Sequence, residues 1–358
     1  PVARASDRIV CSPASGRCTP YPQTMMRMLC AGVVALLGVA LVNAKLYHNT
    51  TTYNHTCWLD KPVLSCSKEA LNLAHLDSCC TETFGGLVAQ TQFWDTHTGL
   101  EDKGQKLPDK HWTIHGLWPD FCNGSFTQYC DLKRQYDPRP SPPTQNGKEN
   151  GTRVEPYKGP SIDTFIQDWG RTDLLEFMDT FWISQGSPNK DFWAQEFSKD
   201  GTCYSTFDIP CYGPKYREHE EVIDFFDTAL SYYRKLPTYD WLAAAGIKPS
   251  NCTRYSLSNI TSALEKRFGA KPYIGCSGPS FKDIEEGKHT NDTGNTVLSE
   301  VWYLNHVYGR VQDGRTKPVD SPTDTRCATS EHAILYPERA PSSLREVPKK
   351  YQHVFETK

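Results

Sequence analysis

The number and placement of the cysteines constrain this chain more than any other feature of its sequence. The chain of 358 residues contains 14 Cys. Three of them, Cys11, Cys18 and Cys30, fall before or inside an apolar segment at residues 25–44, which leaves eleven in the rest of the chain. In a secreted chain such cysteines form disulfide bonds, and an odd number leaves one unpaired. Counting alone does not choose among the possible pairings.

Residues 25–44 have the layout of a secretory signal peptide. Arg27 supplies a positive charge, residues 29–42 form an apolar core, and small residues end the segment at Ala44. The core is too short to span a bilayer, although an N-terminal anchor helix is the alternative interpretation. Residues 1–24 carry no targeting pattern, and we interpret them as upstream sequence foreign to the mature protein. The mature chain is predicted to begin near Lys45 and, without a second long apolar run, to have no membrane partner.

The charge of the mature chain argues against a general nucleic-acid binder. Without residues 1–44 the chain keeps 35 of its 39 basic and 41 of its 42 acidic residues, a net charge of −6. General nucleic-acid binders are basic, because Lys and Arg neutralise phosphates. Any contact with RNA must therefore come from a local site.

Seven Asn-x-Ser/Thr sequons support passage through the secretory pathway, because this motif accepts N-linked glycans on surface loops. We therefore expect a location outside the cell or in an acidic compartment of the pathway, such as a vacuole. The predicted glycosylation sites are Asn49, Asn54, Asn123, Asn150, Asn251, Asn259 and Asn291.

The hydrophobic pattern predicts helices and strands mixed in one α+β domain over residues 45–317. A Pro-, Asn- and Gly-rich loop is expected at 137–160, and a loose polar tail at 318–358. Alternating apolar residues predict strands at 85–96, 111–120, 271–277 and 298–309, and helical periodicity occurs at 161–182, 192–200, 216–236 and 259–269.

The octamer WTIHGLWP, at residues 112–119, is the most informative stretch of the chain. A lone His such as His115 is usually a hydrogen-bonded core residue. Here His115 stands between Trp112 and Trp118, and Cys122 follows shortly after. Rigid aromatic side chains beside a disulfide suit a proton donor held against a flat ligand.

A second stretch, FWAQEFSKDGTC at residues 192–203, places three charged groups together. Glu196, Lys199 and Asp200 are spaced i, i+3 and i+4, so they share one face if the stretch is helical. Such a face beside a Gly and a Cys is typical of an active site. An Asp is, however, a poor proton carrier near neutral pH.

Both stretches resemble the ribonuclease T2 family of secreted endoribonucleases. The first motif matches as it stands, and the second lies where the family has F-W-x-H-E-F/W-x-K-H-G-T-C; the resemblance covers about residues 57–307. It implies an antiparallel sheet with packed helices and five disulfides. It also implies a metal- and cofactor-free enzyme that cleaves single-stranded RNA through its 2′-OH, yields 2′,3′-cyclic phosphates and leaves DNA intact. We expect a monomer.

The resemblance assigns roles to the residues of both motifs. His115 is implied to be the general acid, and Glu196 and Lys199 to stabilise the crowded phosphorus of the transition state. The family's second catalytic His, its general base, falls on Asp200, and its phosphate-contacting His falls on Gln195. The positions of the family's nucleobase pocket are Trp118, Asp120 and Phe126.

Two of the three family histidines are therefore replaced, and this predicts weakened catalysis. An Asp has a pKa of about 3.9 and a His about 6.5, so Asp200 would be an anion that repels the phosphate at neutral pH. General acid–base catalysis contributes about 10²–10⁴-fold, and we expect a loss of that order. Crowding by Glu196 and a bound phosphate could raise the pKa of Asp200 and allow slow activity in acid, or Asp200 could have no proton role.

Three functions remain open on the sequence. The first is a secreted T2-type endoribonuclease with weakened catalysis. The second is an inactive pseudoenzyme that binds RNA or nucleotides through its base pocket. The third is an extracellular interaction protein that uses only the disulfide-stabilised scaffold.

The family pattern also implies five disulfide pairs and leaves Cys327 unpaired in the tail. Cys122 and Cys203 would then fix both motifs to the scaffold. The implied pairs are Cys57–Cys80, Cys66–Cys122, Cys79–Cys211, Cys130–Cys203 and Cys252–Cys276.

Overall fold

The computed structural model describes residues 57–59, 61–278 and 296–355. These residues belong to one unit of the chain, residues 45–358. The predicted signal peptide and the sequons at Asn49, Asn54 and Asn291 lie outside the described residues, whereas the other four predicted glycosylation sites are exposed Asn side chains. No helix among the described residues is long and apolar enough to cross a bilayer.

A seven-stranded sheet forms the centre of the fold, with the strand order β3-β1-β6-β8-β4 and with β5 and β7 also paired to β6. The pairings are antiparallel except between β6 and β8. Two further short strands, β2 and β9, pair in parallel as a separate ribbon. The strands are β1 Leu87–Phe93, β2 Leu107–Pro108, β3 Thr113–Asp120, β4 Arg254–Tyr255, β5 Tyr273–Ser277, β6 Thr296–Val307, β7 Thr316–Val319, β8 Ile334–Leu335 and β9 Leu344–Arg345.

Helices cover one face of this sheet, which confirms the predicted α+β class. Val88 of β1 and Ile114 and Leu117 of β3 are fully buried against α1–α4, while a second apolar cluster lies under α5 and α6. On the opposite face the alternating residues Ala89 and Trp118 form a smaller group. The helices are α1 Ile162–Asp168, α2 Thr172–Phe181, α3 Asn189–Lys199, α4 Glu220–Tyr233, α5 Thr238–Ala244 and α6 Leu257–Phe268.

The predicted loose tail is wrong for the described residues beyond 318. Ile334 of β8 and the neighbouring Tyr336 are fully buried in the cluster under α5 and α6, and β7 pairs with β6. The Tyr336 hydroxyl accepts a hydrogen bond of 2.9 Å from Nε1 of Trp112. Single apolar residues separated by Pro and polar residues have no helical or strand period, so the sequence pattern hides this packing.

The described residues form five disulfides, and four have the pairing that the resemblance implies: Cys57–Cys80, Cys66–Cys122, Cys79–Cys211 and Cys130–Cys203. The fifth prediction, Cys252–Cys276, is wrong. Cys276 pairs with Cys327 at an S–S distance of 2.04 Å, and Cys252 is an exposed free thiol. The wrong pairing follows from the wrong prediction of a loose tail. The tail is packed against the domain and brings Cys327 next to strand β5, where Cys327 is fully buried.

Candidate active site

A β-bulge in edge strand β3 sets the position of His115. Gly116 pairs with Thr91 and Ile114 with Gln92, so His115 is the extra residue between two ladder pairs. Bulges re-aim side chains and are common next to active sites. This one leaves Ile114 in the helix-side core and His115 outside it, with 20% of its side chain exposed.

Aromatic side chains hold the His115 ring on two sides. The ring of Phe93, on the neighbouring strand β1, stacks on it with centroids 3.8 Å apart. Trp118 meets it edge-on at 4.5 Å, and Phe192 from helix α3 lies 5.8 Å away. Trp182 donates a hydrogen bond of 2.9 Å to the His115 carbonyl oxygen. These contacts leave the ring little freedom to reorient.

Two carboxylates flank the imidazole. Nδ1 of His115 lies 2.6 Å from Oε1 of Glu300 on β6, and Nε2 lies 3.9 Å from Oε1 of Glu196 on α3. An ionised carboxylate only accepts hydrogen bonds, so we assign the proton of this contact to Nδ1. The ring thus directs Nε2 towards Glu196 and the end of helix α3.

Helix α3 approaches strand β3 closely at Gly116. Glu196 is 3% exposed, and its Oε2 accepts a hydrogen bond of 3.0 Å from Nε1 of Trp118. A Cβ at Gly116 would overlap Oε2 of Glu196 and lie 2.6 Å from Nε1 of Trp118. The absence of a side chain at this position therefore lets the two motifs meet.

Asp200 ends helix α3. Its N–H donates to the Glu196 carbonyl oxygen at 3.0 Å, and its own carbonyl oxygen accepts from Cys203 at 2.9 Å. The residue is 7% exposed. Burial above all, assisted by the carboxylates of Asp137 and Asp200, holds the pKa of Tyr129 well above its usual range. Asp200 is thus a largely buried residue at the C-terminal end of α3.

Gln195 and Lys199 are partly exposed on the same helix. Nε2 of Gln195 lies 3.4 Å from the Ser141 carbonyl oxygen, so the Pro-rich loop at 137–160 forms a wall beside α3. Burial raises the pKa of Asp137 in this loop, and the positive charge of Lys199 opposes that rise. Lys199 is thus the cationic group at the end of the helix where the second motif lies.

The three predicted base-binding residues differ in exposure. Trp118 is 4% exposed, and its Nε1 donates a hydrogen bond to Glu196. Its ring is therefore packed inside the site and has little surface open to a ligand. Asp120 is partly exposed at the end of β3. Phe126 lies beyond the turn that follows β3 and is 47% exposed. It is therefore the most accessible aromatic ring among the predicted base-binding residues.

Glu300 and Phe93 are the site residues that sequence reasoning missed. Glu300 is the single carboxylate in strand β6, whose other residues are apolar or uncharged apart from His306. One acidic residue in a long strand was the available signal. The described residues contain no group of three or more His, Cys, Asp or Glu side chains arranged to hold a metal ion.

Comparison of the chain with models of known protein families tests whether the resemblance to ribonuclease T2 extends to membership of that family. The model of the Ribonuclease T2 family matches residues 85–328, which are most of the chain. The chain belongs to the ribonuclease T2 family. The matched range includes both motifs, the His115–Glu300 contact and the four disulfide cysteines Cys122, Cys130, Cys203 and Cys211, together with the corrected pair Cys276–Cys327.

Several fungal T2 ribonucleases are similar over most of their length. Ribonuclease T2 of Aspergillus oryzae is 34% identical, over 71% of this chain and 75% of its own. Ribonuclease Trv of Hypocrea rufa is 37% identical, over 67% of this chain and 82% of its own. Ribonuclease T2-like 1-A of Candida albicans is longer, and this chain spans 64% of its length at 32% identity.

The fold agrees with a solved structure of the family. The crystal structure of Actibind, a T2 ribonuclease, superposes with a TM-score of 0.57 and 31% identity. It covers 78% of this chain and 96% of its own. The antiparallel sheet with packed helices is thus the T2 fold.

Proposed function

We propose that this protein is a secreted endoribonuclease that cleaves single-stranded RNA with weakened catalysis. The observation that carries the proposal is the geometry around His115. Its imidazole is fixed between two carboxylates, and Nε2 is directed at the end of α3, where Glu196 and Lys199 lie. Membership of the T2 family supports the reaction class.

The reaction requires two proton transfers. Asp200 accepts the proton of the ribose 2′-OH as this oxygen forms a bond to the adjacent phosphorus. His115 gives its Nε2 proton to the 5′ oxygen as the P–O5′ bond breaks, and a 2′,3′-cyclic phosphate remains. Lys199 offsets the charge that develops on the phosphoryl oxygens. DNA has no 2′-OH and is not cleaved.

The charge distribution supports the weakened rate. The second motif carries two carboxylates, Glu196 and Asp200, against one cation, Lys199. A unit charge ~4 Å from another of the same sign repels it by about 1–4 kcal/mol, depending on the effective dielectric. Gln195 offers the phosphate a hydrogen bond without a charge.

Substrate binding then depends on the remaining base-binding residues. Phe126 provides an exposed ring for stacking, which accepts any base. Asp120 can accept a hydrogen bond from a base amino group, and Trp118 is packed inside the site. We propose low base specificity, a monomer in solution, and secretion or storage in an acidic compartment with glycans on the exposed sequons.

RNA cleavage by the mature protein tests the proposal. We expect slow cleavage with 2′,3′-cyclic phosphate ends between pH 4 and 8, abolished by His115→Ala. Asp200→His is expected to raise kcat by about 10²-fold near pH 6, because it restores an imidazole base. The double variant with Gln195→His should gain further through tighter phosphate binding.

The outcomes separate the candidate functions. Cleavage by the parent that depends on His115 supports the enzyme. Cleavage by the His-restored variants alone would show a competent scaffold with inactive chemistry, and the pseudoenzyme would replace the proposal. No cleavage by any variant, despite native folding, would contradict a ribonuclease role.

A further inference from the structure

Glu300 contacts His115 from outside both sequence motifs. The 2.6 Å contact joins strands β6 and β3 across 185 residues of sequence. Strand β1 lies between them, and its Phe93 pairs with Glu300 on one side and with Thr113 on the other. The Phe93 ring covers the imidazole that Glu300 holds. The three strands therefore build one unit around the His115 ring.

Each of the two residues in this contact lies at or beside a bulge. His115 is the extra residue of the β3 bulge. In β6, Glu300 pairs with Gly275 and Leu298 with Cys276, so Ser299 is an extra residue beside Glu300. A shift of one residue in a strand moves its side chains to the other face of the sheet. Because β6 keeps a continuous register with β1, in which Glu300 pairs with Phe93, the β3 bulge is the irregularity that sets the direction of His115 towards Glu300.

We propose that Glu300 is the positioning residue of His115, fixing Nδ1–H on its carboxylate and turning Nε2 to the reacting phosphate. This inference rests on the proposed ribonuclease function. A base or acid oriented by a third group recurs in enzymes that use His, because the hydrogen bond at one nitrogen determines the proton state of the other.

The role follows from the proton balance at the imidazole. During cleavage the imidazolium loses the Nε2 proton to the 5′ oxygen and becomes neutral. With Glu300 present, the neutral ring keeps its proton on Nδ1, and Nε2 is free to be reprotonated for the next cycle. Without Glu300 the neutral ring can carry the proton on either nitrogen, and a part of the molecules presents the wrong tautomer.

The charged groups around the imidazole come from three elements. Glu300 contributes from β6 and Glu196 from α3, and Lys199 follows Glu196 by three residues at the end of α3. Beyond the end of β1, Asp95 interacts with Glu300; burial chiefly raises the pKa of Asp95 to about 6, against the opposing charges of Arg339 and His97. Removing the Glu300 charge disfavours the imidazolium, since an adjacent carboxylate stabilises it.

Substitutions at Glu300 test the inference. Glu300→Ala should lower kcat by about 10²-fold and change KM little, because the base-binding residues are untouched. Glu300→Gln should shift the alkaline limb of the rate–pH profile to lower pH by about one unit, since the charge is lost. Glu300→Asp keeps the charge and should recover part of kcat. Glu176→Gln, at a carboxylate paired with Lys350 on the surface, is the matched control.

The ring nitrogens of His115 give a readout independent of turnover. ¹⁵N NMR of the parent should show the neutral ring with its proton on Nδ1, and Glu300→Ala should show the Nε2–H form or a mixture. If Glu300→Ala keeps the parent's tautomer and pH profile, with any loss of activity following a loss of folding, the inference is wrong.

The two proposals fail in different ways. If neither the parent nor Asp200→His cleaves RNA, the ribonuclease function fails, and the NMR tautomer still decides on Glu300. If the parent cleaves, and Glu300→Ala cleaves equally with the same profile, the positioning role fails and the enzyme remains.

Discussion

Gly116 allows the two sequence motifs, at residues 112–119 and 192–203, to touch. We expect Gly116→Ala to destabilise the fold by about 1–3 kcal/mol, because the added Cβ would overlap the buried Glu196 carboxylate. RNA cleavage should fall more than stability does, since Glu196 and Trp118 must move apart. Thermal unfolding and kcat of the same sample measure the two effects.

Gly151→Ala is the matched control for that substitution. A Cβ at Gly151 also overlaps a side chain, but this is the exposed end of Asn146, which can rotate into solvent. A change below about 0.5 kcal/mol is expected there. Equal losses at both positions would show that the effect of Gly116→Ala comes from the backbone and not from the contact with Glu196.

At the scale of single residues, the sequence could identify His115 and Glu196 as candidate site residues but could not identify Glu300. His115 and Glu196 lie in motifs whose residue types carry their own chemistry. Glu300 stands in a strand whose pattern is that of a sheet core, and its contact depends on the bulge in β3 that shifts the register at His115. The hydrophobic periodicity of a strand does not reveal a bulge, so Glu300 could not be identified as the partner of His115 from the sequence.

At the scale of secondary-structure elements, the disulfide Cys276–Cys327 between strand β5 and the tail is expected to stabilise the fold. Cys327→Ser should cost about 2–5 kcal/mol, because it opens a loop of 51 residues between Cys276 and Cys327. Cys252→Ser should leave the stability within about 0.5 kcal/mol, since Cys252 is exposed and free. Denaturant unfolding measures both.

A thiol assay distinguishes the two pairings directly. The folded parent should react with a thiol reagent at Cys252, and Cys252→Ser should not react. A Cys252–Cys276 bridge would reverse this result, with a buried thiol at Cys327 that reacts only after unfolding. Peptide mapping of the unreduced protein identifies the bridged pairs.

Helix boundaries show the same limit of sequence reasoning. The periodic stretch at 161–182 predicts one helix, but the structure has α1 and α2 separated by Gly170, whose φ is +71°. The left-handed conformation favours Gly and ends the first helix. Because α2 continues the apolar pattern after the break, the pattern alone does not reveal the turn.

Over the whole molecule, buried carboxyl groups predict higher stability in acid. Burial chiefly raises the pKa of Asp95 and of Asp224 from 3.8 to about 6. A raised pKa means that the folded state holds the proton more tightly than the unfolded state. The stabilisation is complete below about pH 4 and is lost as the pH rises to 6. Burial also raises the pKa of Asp137, Asp179, Asp208 and Glu221.

Three histidines act in the opposite direction. Burial is the first cause that lowers the pKa of His111, His219 and His306. Each of them stabilises the fold above the unfolded pKa of about 6.5 and loses that contribution as the pH falls through the folded value. The buried carboxyl groups therefore favour stability towards acid, and the three histidines oppose it over the range below about pH 6.5.

Asp224→Asn separates the carboxyl contribution from the rest. Asn resembles the protonated Asp, so the variant should unfold at a higher temperature than the parent at pH 7 and at a similar temperature at pH 4. A shift of two pKa units corresponds to about 2–3 kcal/mol at pH 7. Asp102→Asn, at an exposed aspartate, is the control and should follow the parent at both pH values. If Asp224→Asn lowers the unfolding temperature at pH 7, the carboxylate is stabilised in the fold, and this result would contradict a raised pKa of Asp224.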